Sequence, residues 1–162
     1  MTPFDKLTEH KLILPEAPAP GGNYVSVNIR GNIAYVAIQF PISDAKFMFQ
    51  GRLGNELTTT DGCKAMELCA LNVLAQIDKK VGFNKLIGLN HIDIYFRSEG
   101  NWDDSPKVAD GASNLFVSIL GDRGRHSRAL FGVENLPRNF SVGLTATFTI
   151  EIGGWHYRPS IQ

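Results

Sequence analysis

From Val142 onward the chain alternates without a break. Val142, Leu144, Ala146, Phe148, Ile150 and Ile152 interleave with Gly143, Thr145, Thr147, Thr149 and Glu151. Period two sustained over that length is a β-strand with one apolar and one mildly polar face. Such a strand needs a sheet neighbour and a layer over its apolar side. Just upstream, Ser127 to Glu134 also reads as a strand, and Pro137-Arg138-Asn139 as the turn between the two. Proline presets φ for a turn and cannot donate within a ladder. Arg128 then lies on a strand whose partner offers hydroxyls rather than charges. Taken alone, a single arginine on a strand reads as a solvated edge residue.

The rest of the chain supplies the other layers. Thr2 can cap a short helix with Pro3 at its first position, and Leu14 to Pro20 alternates proline with small residues as an extended connector. Tyr24 to Arg30 and Ile33 to Phe40 read as a hairpin around Gly31-Asn32, and Phe47-Met48-Phe49 as a candidate edge strand. Thr58 and Asp61 stand at capping-box spacing, although Glu or Gln is the usual third residue. Met66, Cys69, Ala70, Val73, Leu74 and Ile77 form the apolar stripe of the helix that follows, which Gly82 ends. Leu86 to Ser98 reads as a strand with Ile92, Ile94 and Phe96 on one face and Asp93, Tyr95 and Arg97 on the other. A second helix starts at a Ser105 cap with Pro106 first, carries Val108, Ala112, Leu115, Phe116, Ile119 and Leu120, and stops at Gly121. Gly111 inside it costs about 1 kcal/mol against alanine, which close packing on the sheet would offset. Two helices cover one face of such a sheet. The threonine face is too apolar for full exposure and too polar for a dry core, which an oligomer interface would resolve.

A chain of 162 residues fits one domain: a core over about 14–152, an N-terminal extension over 1–20 and a tail over 153–162. Sixteen basic residues balance sixteen acidic ones, which argues against a broad footprint on nucleic acid or anionic membrane. No apolar run reaches membrane-spanning length and the N-terminus has no signal-peptide core. Cys63 and Cys69 lie on one helix pointing apart, and His10, His91, His126 and His156 are scattered. The expectation is a reduced, cytoplasmic protein without a metal or other cofactor.

Several spaced motifs occur in order: Leu14-Pro-Glu-Ala-Pro-Ala-Pro with Asn23-Tyr24; Gly31-Asn32 leading to Gln39-Phe40-Pro41; Leu68 to Gln76; Lys107 to Ser113; and Arg128-Ala-Leu-Phe-Gly-Val-Glu-Asn-Leu136-Pro137 before a strand. Together they resemble the Rid family, reactive intermediate deaminases of the endoribonuclease L-PSP type. The resemblance implies a chorismate-mutase-like α+β fold: a mixed sheet with two helices packed on one face. It further implies a homotrimer with a central barrel and ligand clefts between subunits. In the family the signature arginine holds the carboxylate of an enamine or imine acid, and Arg128 matches it. A planar guanidinium suits that task, forking onto a carboxylate through two charge-assisted hydrogen bonds. Tyr24 matches a tyrosine lining the cleft; its plainer reading is a surface strand aromatic.

The departures bear on chemistry. The family's Ser-Gly-Gln-x-Pro is Ala37-Ile38-Gln39-Phe40-Pro41, so Ile38 stands where a glycine lets ligand approach the backbone. Asp110 replaces an asparagine and, ionised, would repel a bound carboxylate. Leu130 replaces a cysteine. Thr145 is read as replacing the glutamate proposed to handle the hydrolytic water; a threonine can orient a water but cannot serve as its base. His126 or Asp110 could compensate, His126 sharing a face with Arg128; its plainer reading is a solvated loop histidine. Arg123-Gly-Arg125-His126 is a small basic cluster, too small and without the aromatics of a nucleic-acid groove. Trp155, His156 and Tyr157 in the tail read as packing against the protein, or as a lid over the cleft. The functional expectation is binding of a small carboxylate metabolite between subunits, with hydrolysis of 2-enamine or 2-imino acids to 2-keto acids and ammonia. The alternative is a sensor or binding module that has lost the chemistry; a ribonuclease comes third.

Overall fold

The computed structural model describes residues 1–153, so the expectation for Trp155, His156 and Tyr157 lies outside the described residues. The elements are α1 (Pro3–Glu9), β1 (Val27–Arg30), β2 (Ile33–Gln39), β3 (Ile42–Ser43), β4 (Lys46–Phe47), α2 (Thr59–Lys80), β5 (Leu86–Phe96), α3 (Ser105–Leu120), β6 (Ser127–Gly132) and β7 (Val142–Ile150). Five strands form one sheet in the order β1-β2-β7-β5-β6, and β3 and β4 make a separate small hairpin. β5 and β6 run parallel; the other neighbours in the sheet are antiparallel. Parallel neighbours require a crossover, and α3 provides it.

This order corrects the expected strand–turn–strand unit. β6 does not pair with β7, because β5 lies between them and pairs with both. Residues 133–141 are too long for a tight hairpin and instead carry the chain across the end of β5. Arg138 and Asn139 take positive φ of 55° and 58° in that connection, a backbone region rare for residues other than glycine. The partner of the Arg128 strand is therefore β5, not the threonine strand.

Alternation nevertheless sorts the faces of β7 as expected. Val142, Leu144, Ala146, Phe148 and Ile150 are buried, while Thr145, Thr147 and Thr149 are half-buried on the far side. The strand ends at Ile150, and Ile152 is exposed. α2 and α3 pack together over the sheet, and Met66, Cys69, Ala70, Val73, Leu74 and Ile77 of α2 are fully buried. The short α1 is a third helix; it leans on α3, with Phe4 edge-on to Phe83 at 5.1 Å.

Local chemistry sets the helix ends. Thr58 accepts from Asp61 N at 3.1 Å while Asp61 Oδ2 accepts from Thr58 N at 2.9 Å, so aspartate closes the capping box. Thr2 and Asp5 do the same for α1. For α3 the expectation shifts by one residue. Ser105 is the first helical residue, and Asp104 precedes it without a capping bond, its Oδ2 accepting from Thr59 Oγ1 at 2.8 Å instead. Gly111 packs on the other helix rather than on the sheet. A Cβ there would lie 3.1 Å from Cys63 C and closer still to its carbonyl oxygen. Gly62 of α2 answers it, with Val108 Cγ2 2.7 Å from where its Cβ would be.

Two further expectations change at strand ends. The first strand begins at Val27, leaving Tyr24 outside it. β5 ends at Phe96, and Arg97 lies just beyond it. It is buried, with Nη1 donating to Asn139 Oδ1 at 2.6 Å and to Phe140 O at 3.3 Å. Arg97 thus ties β5 to the connection that carries the chain into β7.

Candidate functional site

Register fixes where Arg128 points. Arg128 pairs with Ile92 and Leu130 with Ile94, and paired residues share a face. Ile92 and Ile94 are buried beneath the helices, so Arg128 and Leu130 face α3. There Arg128 Nη1 donates to Asp110 Oδ1 at 2.7 Å and to Ser113 Oγ at 3.1 Å. Asp110 and Ser113 lie three apart on α3 and so project from the same side. His126 joins the cluster as its spacing suggests. Its Nδ1 lies 2.6 Å from Gly124 O, which can only accept, so Nδ1 carries a proton. In the neutral ring Nε2 then accepts from Ser113 Oγ at 2.9 Å. One chain of donors thus runs from Arg128 through Ser113 to His126 and the Gly124 carbonyl. His126 is tied at both ring nitrogens rather than solvated.

Asp110 is the decisive member. The sequence suggests that its charge would oppose a bound carboxylate; the structure gives that charge a partner in Arg128. The arginine side chain retains 27% of its exposure and the aspartate 53%, so the pair sits at the rim of the sheet. The contacts within the cluster use only Nη1 of the guanidinium and only Oδ1 of the carboxylate. Asp110 also acts on α2. Burial pushes the Cys63 thiol up, and the neighbouring Asp110 charge pushes it further in the same direction. Leu130 packs on the core beneath α3.

Thr145 is not part of this cluster. It pairs with Asp93 on the opposite face of the sheet, where its Oγ1 donates to Asp93 Oδ2 at 3.3 Å. Asp93 Oδ1 lies 3.0 Å from His91 Nε2, and His91 Nδ1 lies 2.7 Å from Ser127 Oγ. A polar relay of Thr145, Asp93, His91 and Ser127 therefore crosses three strands on the open face. Sequence reasoning placed Asp93 on the face away from Ile92 but missed that Thr145 stands beside it; the signal absent was the β5–β7 register.

Ile38 also lies on the open face, at a bulge. Three residue steps from Val36 to Gln39 face two from Ala146 to Leu144. Gln39 is buried and its Nε2 donates to Ala37 O at 2.9 Å, satisfying a carbonyl that the bulge frees. Ile38 fills the space above Gly143, where an added Cβ would come 2.7 Å from Ile38 Cδ1. Tyr24 is half exposed before β1, its hydroxyl accepting from Gly21 N at 3.1 Å. β1 and β6 are opposite edges of the sheet, so one copy does not bring Tyr24 to Arg128.

Two other features bear on the alternatives. A groove of about 990 Å³ runs between the proline-rich connector, the β3–β4 hairpin and the end of α2 at Gln76, Lys79 and Lys80; it does not include Arg128. The basic cluster is engaged internally: Arg123 Nη1 donates to Phe83 O and Leu86 O, and Arg125 pairs with Asp122 at 3.2 Å. Among the described residues no helix is long and apolar enough to cross a membrane.

Comparison with known proteins adds the family. The family model described as "YjgF/chorismate mutase-like, putative endoribonuclease" matches residues 5–150. Protein TCP17 of Trypanosoma cruzi is 35% identical over 135 residues, covering 82% of this chain and 84% of that protein. A Shewanella oneidensis crystal structure described as a "putative endoribonuclease" is 30% identical, with a TM-score of 0.90 over 93% of this chain and all of the other. Escherichia coli TdcF, solved with bound serine, shares the fold at 15% identity and a TM-score of 0.60, over 85% of this chain and 93% of its own.

Proposed function

Because this chain belongs to the YjgF/chorismate-mutase-like family, the Rid family of the sequence resemblance, we propose that it binds a small carboxylate-bearing metabolite at Arg128. The cleft lies between copies of a homotrimer working in the cytoplasm. The observation that carries this reading is the Arg128 cluster itself. An arginine on an edge strand is fixed through Nη1 alone, which leaves a side of its guanidinium for a carboxylate. The separation of Tyr24 and Arg128 to opposite sheet edges supports a cleft that needs a second copy. Serine in the crystal structure of TdcF, a protein of the same fold, agrees with a small acid as ligand.

The reaction of this reading is hydrolysis of a 2-imino acid. Water adds to the electrophilic imine carbon, a proton moves to nitrogen, the carbon–nitrogen bond breaks, and 2-keto acid and ammonia leave. The carbon is already activated, so the protein need only position the acid and the water, and no cofactor is called for.

Three observations favour the second reading, a module that binds without turnover. Thr145 offers a hydroxyl and no base, Ile38 fills the space over Gly143, and Asp110 already pairs with the clamp. A ribonuclease has no such support, since Arg123 and Arg125 are engaged within the chain.

One assay separates the readings. 2-Iminobutyrate or 2-iminopropionate is generated in situ and its decay followed with and without protein. Acceleration that Arg128→Ala abolishes establishes the enzyme. Binding without acceleration establishes the module. Acceleration or binding indifferent to Arg128→Ala refutes the site.

A further inference from the structure

The Arg128–Asp110 pair has a consequence for the kind of ligand that fits. A bare carboxylate arriving at Arg128 meets a cation whose charge Asp110 already balances from 2.7 Å away. Its attraction to the guanidinium is offset by repulsion from the aspartate next door. A ligand carrying a cation beside its carboxylate meets a different surface. The carboxylate can take the donors of Arg128 that the cluster leaves over, Nε and Nη2. The adjacent ammonium or iminium can then donate to Asp110 Oδ2, the oxygen not used toward Arg128. Two dipolar pairs lie head to tail, and no charge is left unmatched.

We propose that Asp110 makes this a site for zwitterions: 2-amino acids and the protonated, iminium form of 2-imino acids, in preference to plain carboxylates and 2-keto acids. The proposal rests on the reading of Arg128 as the carboxylate clamp and adds the cation-recognising half. Ser113 holds the pair in place. It accepts from the same Nη1 at 3.1 Å and is itself held by His126, so the guanidinium is oriented before ligand arrives. α3 carries both Asp110 and Ser113, and Gly111 between them lies against the backbone of α2, which fixes the helix that presents them. If the site turns over, the same charge pattern favours release. Hydrolysis converts a zwitterion into a keto acid that lacks the cation, and the product faces Asp110 as an unbalanced anion.

The test is calorimetric titration of the full chain with four probes: L-serine and L-alanine as zwitterions, propionate and pyruvate as carboxylates alone. Wild type binds the zwitterions about two- to fivefold more tightly, the worth of one added charge pair at a partly exposed rim. Asp110→Asn, nearly isosteric and neutral, removes that preference and binds propionate and pyruvate more tightly than wild type does. Arg128→Ala loses all four probes. Thermal unfolding of each variant confirms that it is folded, and Asp110→Glu, which restores the charge, recovers part of the zwitterion preference. If wild type shows no preference and Asp110→Asn changes nothing while Arg128→Ala abolishes binding, the zwitterion proposal is overturned and the clamp stands. If Arg128→Ala binds every probe as wild type does, or no probe binds wild type at millimolar concentration, both fall.

Discussion

The contact between Gly111 and Cys63 makes a prediction that joins stability to the site. Glycine to alanine within a helix ordinarily stabilises by about 1 kcal/mol. At Gly111 the added methyl would lie 3.1 Å from Cys63 C, 3.2 Å from Cys63 Cα and nearer still to the carbonyl oxygen. Ordinary van der Waals contact begins at 3.4 Å, and the obstacle is backbone, which cannot rotate away as a side chain does. α2 and α3 must therefore separate locally, and overpacking of this kind costs about 1–3 kcal/mol, sometimes more. Because the obstacle is helix backbone, the clash falls at the upper end, about 3 kcal/mol, and exceeds propensity for a net loss of about 2 kcal/mol. In a domain of this size that lowers the melting temperature by roughly 4–8 °C. Urea unfolding of Gly111→Ala against wild type measures it, with Gly100→Ala as control, because a methyl at Gly100 meets nothing within 4 Å. The displacement also moves Asp110 and Ser113 relative to Arg128, so probe binding weakens in the folded variant. A Gly111→Ala protein as stable as wild type would refute the reasoning, since it would mean the two helices slide apart without penalty.

Two more expectations follow from the termini and the thiols. Thr58→Ala removes the acceptor for Asp61 N and destabilises α2 by about 1 kcal/mol in chemical denaturation. Backbone and hydroxyl hydrogen bonds from Thr58 hold the Asp61 carboxyl below the usual carboxylate range, bonds from Thr2 do so for Asp5, and the Arg52 amide leads the causes for Glu56. A carboxyl depressed on folding stabilises above its unfolded pKa, and that contribution is lost as pH falls through the folded value. Stability therefore declines on acidification below about pH 4, and Thr58→Ala flattens part of that decline; an unchanged acid limb contradicts it. Alkylation separates the cysteines. Burial pushes both thiols up, Cys69 far more, so Cys63 reacts first in the native protein. Asp110→Asn removes the charge that adds to the Cys63 shift, and Cys63 then reacts faster at fixed pH; an equal rate would refute the coupling between Asp110 and the Cys63 thiol.

The parts of the fold legible in the sequence are those set by local periods and caps. Alternation in β7 sorted buried from half-buried residues, and the stripe Met66 to Ile77 marked the buried side of α2. Thr58 with Asp61, and Thr2 with Pro3, fixed two helix starts through bonds reaching only three residues along the chain. What the sequence left open was adjacency. β6 and β7 are consecutive strands flanking a turn-like Pro137, yet β5, which precedes both in the chain, takes the place between them. No local pattern encodes that choice. It follows from the α3 crossover, which brings β6 back parallel to β5, and from Arg97, whose buried guanidinium holds Asn139 and Phe140 so that the connection passes over the end of β5.

The site was legible in proportion to how local it is. His126 and Arg128 share a face because they are two apart on an extended segment, and both reach Ser113 as that geometry requires. Asp110 could be flagged only as a charge that ought to trouble a carboxylate, because its partner comes from β6, across the crossover. Inserting β5 between β6 and β7 also has a consequence for chemistry. Had β6 and β7 paired directly, Arg128 and Thr145 could have been neighbours across one ladder. With β5 between them, register assigns Arg128 to the helix face with Ile92, and Thr145 to the open face with Asp93. A substituted residue at Thr145 therefore cannot hand a water to a ligand held at Arg128 of the same copy through the body of the sheet. On the proposed reading of Arg128 as a clamp, the carboxylate beside the ligand within one copy is Asp110, at hydrogen-bonding distance from the guanidinium.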